Sequence, residues 1–280
     1  MVPVLESAPS RSGRISRPGR FPSVFLALWM LWLGGGMRGA SSDKPLPPEK
    51  EYLESVFAKI RAWEKNPPLP TFRERRVTTD FDGDKVDSRL EEIYAITWYR
   101  DKPVYVLERK NGKAMTAESL RLQESRKKKA IDEEIAKPSS KEKIDAIYVS
   151  PLLDRYRYKL VGRETLWNRP AIKIRFDPIP GKFPEKKIAS KIMENVYGYG
   201  WIDEEDNELT KAVVHNNGTI RIGWGILASL SHLEIEYHRQ KRPSGLWYVS
   251  FLKVRAKVRI FFFNNYNRLS ESTFYDVMMP

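Results

Sequence analysis

Three stretches of this chain alternate basic and apolar side chains at almost every step. They are Arg155-Tyr156-Arg157-Tyr158-Lys159-Leu160, Ala171-Ile172-Lys173-Ile174-Arg175-Phe176 and Lys253-Val254-Arg255-Ala256-Lys257-Val258-Arg259-Ile260. A period of two is that of a β-strand, whose successive side chains point to opposite faces of a sheet. Each stretch lays an apolar row on one face and a basic row on the other, which excludes an all-helical fold.

Further strands are predicted over 71–81, 86–99, 104–110, 188–202, 208–214, 219–237, 246–263 and 273–278. Asp82-Gly83-Asp84, Asn111-Gly112 and Asn216-Asn217-Gly218 supply hairpin turns. Two segments have helical spacing instead. In 49–63, Tyr52, Leu53, Val56, Phe57, Ile60 and Trp63 recur at i, i+3, i+4 and i+7, and Asn66-Pro67-Pro68 stops the helix. In 116–136, Arg126, Lys127, Lys128 and Lys129 are balanced within two turns by Asp132, Glu133 and Glu134, the pattern of a solvated, salt-bridged helix. Many strands joined by tight turns, with two helices, predict an α+β fold: one curved antiparallel sheet packed against helices.

The N-terminus has the parts of a secretory signal. Arg11, Arg14, Arg17 and Arg20 precede an uncharged run, 21–37, whose centre from 24 to 33 is ten apolar residues. Residues 1–42 are predicted to be a signal peptide cleaved after Ala40 or Ser42; retention as an N-terminal membrane anchor is the alternative. A proline-rich linker, 43–48, leads into a single domain over 49–280. The 280-residue chain has 49 Lys+Arg, 36 Asp+Glu and a net charge of +13; cleavage removes five arginines and one glutamate, leaving +9. The chain contains no cysteine. That excludes disulfides, thiol catalysis, Cys-ligated metals and N-terminal lipidation on Cys, and fits a periplasmic or otherwise exported form.

No motif specifies a reaction. His215, His232 and His238 lack metal-ligand spacing, and His232 and His238, on one strand face, would lie roughly 20 Å apart. The acids at 82, 84 and 203–206 fall where turns are predicted, without the order of a calcium loop. Gly198-Tyr199-Gly200 and Gly223-Trp224-Gly225 lie inside strands, where glycine marks a bend or bulge and not a dinucleotide fingerprint. Asn217-Gly218-Thr219 matches a glycosylation sequon, but the turn alone accounts for it. No catalytic residue, metal or cofactor is predicted.

Two helices, one mostly charged, offer little apolar surface to cover so many strands. The sequence therefore predicts an apolar cavity lined by Tyr156, Tyr158, Leu160, Ile172, Ile174, Phe176, Val254, Val258, Ile260 and Phe262. Gly200-Trp201-Ile202-Asp203 followed by Leu209-Thr210-Lys211, behind a signal peptide and an amphipathic helix, resembles the LolA/LolB-like envelope lipoprotein carriers, in which a W-[IV]-D strand precedes a polar turn. Asn168-Arg169-Pro170-Ala171 leading to Phe176-Asp177-Pro178 is similar to a region of uncharacterised bacterial relatives. The resemblance spans most of 49–280. It implies a half-open β-barrel, lidded by two helices, that shields acyl chains. This chain is longer than such carriers, inserts the charged helix at 116–136 and has no single position for their functional arginine.

The leading expectation is an exported, non-enzymatic carrier or binding protein for a lipid or lipidated protein, with a role in outer-membrane lipoprotein sorting. Lys253, Arg255, Lys257 and Arg259 would face an anionic membrane surface. An envelope hydrolase with strand-borne carboxylates is the alternative. A nucleic-acid partner is not expected, because the bases form sheet faces on an exported chain.

Overall fold

The computed structural model describes residues 44–65, 69–136, 153–183, 188–222, 227–261 and 264–279. The predicted signal peptide, Gly223-Trp224-Gly225 and Phe262 lie outside them. Helix α1 (Glu49–Lys65) leads into strands β1 (Thr71–Asp82), β2 (Lys85–Tyr99), β3 (Lys102–Lys110) and β4 (Lys113–Ala114), then helix α2 (Ala117–Ala136). Next come β5 (Tyr156–Leu166), β6 (Arg169–Pro178), the short helix α3 (Ile188–Met193), β7 (Val196–Asp203), β8 (Leu209–Asn216) and β9 (Ile220–Ile222). The chain closes with β10 (Ala228–Lys241), β11 (Trp247–Ile260) and β12 (Asn264–Met278).

All strands join one antiparallel sheet in the order β4-β3-β2-β1-β12-β11-β10-β8-β7-β6-β5, with β9 also on β10. The outermost strands, β4 and β5, do not pair, so the sheet stays open. The fold is α+β and antiparallel, as predicted. Among the described residues it has three helices instead of two, because the predicted strand 188–202 begins with α3.

Three hairpins turn on two residues that both have positive φ: Arg100 (47°) and Asp101 (58°), Asn111 (47°) and Gly112 (77°), Trp167 (49°) and Asn168 (63°). That geometry matches the right-handed twist of the flanking strands. Asn216-Asn217-Gly218 is not the expected hairpin. β8 and β9 both pair with the same side of β10 and form one interrupted strand. The Asn216 side chain spans the gap, its Oδ1 accepting from Leu233 N (2.6 Å) and its Nδ2 donating to Ser231 O (3.3 Å).

Directly paired residues share a face, so the register defines rows across the sheet. One row reads Leu160, Ile174, Gly200, Ala212, Tyr237, Leu252, then Ser272, Arg76 and Glu92. This row is apolar from β5 to β11 and polar from β12 to β2, where the same face also carries Phe274, Phe72 and the buried Ile96. Helix α1 packs Tyr52, Val56, Leu53, Phe57 and Ile60 against the apolar half. The opposite face carries the row Lys173, Trp201, Lys211, His238, Phe251, Thr273, Arg75 and Ile93. It has a small core of its own from Leu166, Ala171 and Trp201.

Gly198 on β7 permits the close packing of the first face. A Cβ there would fall well inside contact distance of the Val213 carbonyl and 2.8 and 2.9 Å from Phe176 ring carbons. The sheet edges are covered by helix side chains. Gln123 of α2 accepts from Leu107 N (3.1 Å) and donates to Leu107 O (3.3 Å) on β3. Glu49 of α1 accepts from Leu160 N (2.9 Å) on β5.

Candidate functional site

The apolar half beneath α1 gathers most residues predicted to line a cavity. Tyr156, Leu160, Ile172, Ile174, Phe176 and Val254 are buried in the principal core, with Tyr158 and Val258 packed against it. Ile260, opposite Ala228 and Asn264, is half-buried at the far end of β11. The aromatic rings interlock edge-on: Tyr156 meets Phe176 and Phe183, each at 5.5 Å between centroids, and Tyr158 meets Phe57 of α1 at 5.0 Å. Burial pushes the phenols of Tyr156 and Tyr158 well above their ordinary range and Tyr237 up to about 12, so all three are neutral donors at physiological pH. Tyr156 donates to Met193 O at 2.5 Å. The buried hydroxyl of Tyr52 has no hydrogen-bond partner.

Helix α1 is also fastened at its margins by polar contacts. Lys59 bonds the Asp206 carbonyl and pairs with Glu208 at 3.4 Å. Arg163, buried on β5, holds Glu204 through two bonds of 2.6 and 2.7 Å and donates to the carbonyls of Lys44 and Pro45 just before α1. The acids at 203–206 form a turn, as predicted. Asp203 takes two bonds from Arg169 (2.6 and 2.8 Å) and accepts from Glu205 N and Asp206 N. Asp206 also receives Lys241 (2.6 Å) and Trp247 Nε1 (3.0 Å). Every carboxylate of this turn has a cationic partner, so the cluster is a structural knot that ties β5, β6, β10 and β11 to α1.

Across the polar half of the same face, Glu74 is 3% exposed. It accepts from Ser272 (2.6 Å) and from two nitrogens of Arg76 (both 2.8 Å), while Arg76 lies over Tyr94 at 5.1 Å. Sequence reasoning missed this network. Its signal was the even-numbered set Phe72, Glu74 and Arg76, in which two charges continue the row of an otherwise apolar face.

The four bases of β11 project from the opposite face among acids. Lys253 pairs with Glu234 at 2.8 Å and stands opposite Glu236 and Glu271. Arg255 lies over the ring of Phe81 at 5.3 Å. Among the described residues, the side chains of Lys257 and Arg259 make no ion pair. The face is therefore mixed in charge instead of uniformly basic: Lys173 meets Glu164 at 3.1 Å and Arg175 meets Asp177 at 2.7 Å. His238 bonds Glu236 at 3.0 Å and His232 lies 3.9 Å from Glu234. No group of three metal-ligating side chains occurs, and no helix is long and apolar enough to cross a membrane, among the described residues.

No family model and no curated protein matches the chain. Among solved structures it is similar to a domain of Vibrio parahaemolyticus named for outer-membrane lipoprotein sorting. That match has 8% identity over 83% of this chain and 93% of the other, with a TM-score of 0.36. It is similar to a LolA superfamily protein of Nitrosomonas europaea at 8% identity, 81% and 93% coverage and a TM-score of 0.35. The lipoprotein LppX of Mycobacterium tuberculosis matches at 9% identity, 81% and 97% coverage and a TM-score of 0.25. At these scores the likeness supplies no residue-by-residue correspondence.

Proposed function

We propose that this protein is an exported, non-enzymatic carrier or binding protein that holds a lipid, or the acyl chains of a lipidated protein, against the apolar half of the sheet beneath α1. Transfer of lipoproteins toward an outer membrane is the finer form of this reading. One observation carries it: an apolar face running over β5, β6, β7, β8, β10 and β11 is covered, among the described helices, mainly by α1. That helix buries only Tyr52 and Val56 and is held at its rim by the Lys59–Glu208 ion pair and by the Arg163 hydrogen bonds to the carbonyls of Lys44 and Pro45 just before it. Covers fastened by exchangeable polar contacts separate from apolar surface at lower cost than covers sealed by large buried side chains. The bases Lys257 and Arg259, on the opposite face, are available to anionic headgroups.

The reading is tested by purifying the protein from its native envelope and identifying co-purifying molecules by native mass spectrometry, alongside uptake of a fluorescent fatty acid. Bound lipid, or saturable uptake weakened by Ile174→Glu, is the expected result. A lipid-free protein that takes up no fatty acid overturns it.

A further inference from the structure

Four charged residues among those described are more than nine-tenths buried: Glu74, Arg163, Asp203 and Lys211. Charged side chains are almost never buried to this degree without a partner. Glu74 has Arg76, Arg163 has Glu204, and Asp203 has Arg169. Among the described residues, Lys211, 5% exposed on β8, makes no close ion pair and its ammonium no hydrogen bond, the carboxylates of Glu236 and Glu164 acting on it only from farther off. Its ammonium lies 5.6 Å from the centre of the Trp201 ring. Its Nζ is not among the buried side-chain atoms that lack any hydrogen-bond partner.

The surroundings cluster rings and charges on the face opposite α1. Trp201 and His238 flank Lys211 in the register, and Phe251 follows His238. Trp167, at the tip of the β5–β6 hairpin, meets His238 at 5.3 Å. The tip therefore reaches over β7 and β8 to β10. Lys173 lies 4.7 Å from the same Trp201 ring. The carboxylates nearby are committed: Glu164 takes Trp201 Nε1 (2.6 Å) and Lys173 (3.1 Å), and Glu236 takes His238 (3.0 Å). Burial holds the Lys211 amine below its ordinary value, the direction that a bound anion would reverse.

We infer that this cluster is an oxyanion-binding site in which a carboxylate or phosphate group sits on Lys211 Nζ, with Lys173 as the second cation and the rings of Trp167, Trp201 and His238 beside them. The inference is independent of the lipid site beneath α1, since it concerns the other face. The same oxyanion chemistry is offered by a free anion and by an anionic lipid headgroup.

The test uses protein labelled with 13C-lysine, the Lys211 Cε resonance being assigned with Lys211→Met. Inorganic phosphate, acetate and a short-chain lysophosphatidic acid are titrated separately. A saturable shift at Lys211, at least tenfold weaker binding in Lys173→Met, and a thermal midpoint raised by the anion in wild type but not in Lys211→Met are expected. In the absence of anion, Lys211→Met leaves the midpoint unchanged or raised, because an unpaired buried charge has been removed. A lower half-saturation concentration for the lysolipid than for phosphate identifies the lipid headgroup as the source; equal values identify a free anion. No saturable shift with any probe, or a Lys211→Met midpoint that falls and does not respond to anion because the residue is simply structural, overturns the inference.

Discussion

Gly198→Ala tests whether the packing of β7 between β6 and β8 has any slack. The added methyl carbon would lie well within contact distance of the Val213 carbonyl oxygen and at 2.8 and 2.9 Å from the Phe176 ring. Carbon atoms pack at about 3.5–4.0 Å. The ring could rotate away, but the carbonyl belongs to β8, which is bonded to β7 on one side and β10 on the other. Relief therefore requires strand displacement. Overpacking of this kind costs about 1–3 kcal/mol, and one or two weakened ladder bonds add about 1 kcal/mol each. Reduced freedom of the unfolded chain returns about 0.4–1 kcal/mol. The net loss is about 2–4 kcal/mol. With a urea slope of about 2–3 kcal/mol/M, the unfolding midpoint falls by roughly 1–1.5 M. Gly162→Ala on β5, where nothing lies within 4 Å of the added carbon, is the control and stays within about 0.5 kcal/mol of wild type. Equal stability of Gly198→Ala and wild type refutes the reasoning. So does full recovery of Gly198→Ala by Phe176→Leu, which would clear the ring and leave the carbonyl in place.

Asp203→Asn breaks the charge-assisted pair with Arg169 at a site 1% exposed and weakens the turn that anchors α1. A loss on the order of 3 kcal/mol lowers the calorimetric Tm by about 6–12 °C; a shift under 2 °C contradicts the role given to this knot. The hydrogen bond from Lys253 holds the Glu234 carboxyl below its ordinary value, so its contribution to stability is complete above the unfolded value of about 4.3 and is lost as pH falls through the folded value. Lys253→Met should flatten the acid limb of a stability-against-pH curve; an unchanged acid limb refutes the coupling. Because Lys253 is already paired and Arg255 lies on Phe81, association with anionic vesicles at low salt should fall nearly as far in Lys257→Ala/Arg259→Ala as in the quadruple alanine variant. At about 1 kcal/mol per base, that is roughly thirtyfold for the pair in co-sedimentation; no loss in the quadruple variant removes the surface role altogether.

Much of the architecture was legible because the strands β5, β6 and β11 repeat period two and α1 repeats the helical spacing without interruption. Misreadings arose where short-range chemistry gave no signal. Ile188-Ala189-Ser190-Lys191-Ile192-Met193 is too short for its helical period to show against the strand that follows it. Arg100-Asp101 and Trp167-Asn168 turn with positive φ without a glycine, so their hairpins had no turn signature. Asn216-Asn217-Gly218 looked like a hairpin because the sequence does not reveal that the next segment rejoins the same side of β10. The polar half of the α1 face was hidden for a related reason: only the β1–β12 register shows that Glu74 and Arg76 share a face with Ile174 and Leu252. Lys211 was even less visible, since a lysine in Leu209-Thr210-Lys211-Ala212-Val213-Val214 reads as an ordinary outward-facing base until neighbouring strands bury it.

Gln123 and Glu49 decide how this molecule comes apart. An open sheet of this width has two margins whose unpaired backbone groups invite another chain, and each margin has a polar side chain from a helix bonded to it. The two guards differ in how firmly they are seated. Helix α1 has Tyr52 and Val56 buried in the core, whereas α2 has no buried residue at all. On warming, α2 is expected to detach before α1, which would free Leu107 on β3 to pair with a second molecule. Heat-induced association is therefore expected to begin at the edge that α2 guards, before the core beneath α1 opens.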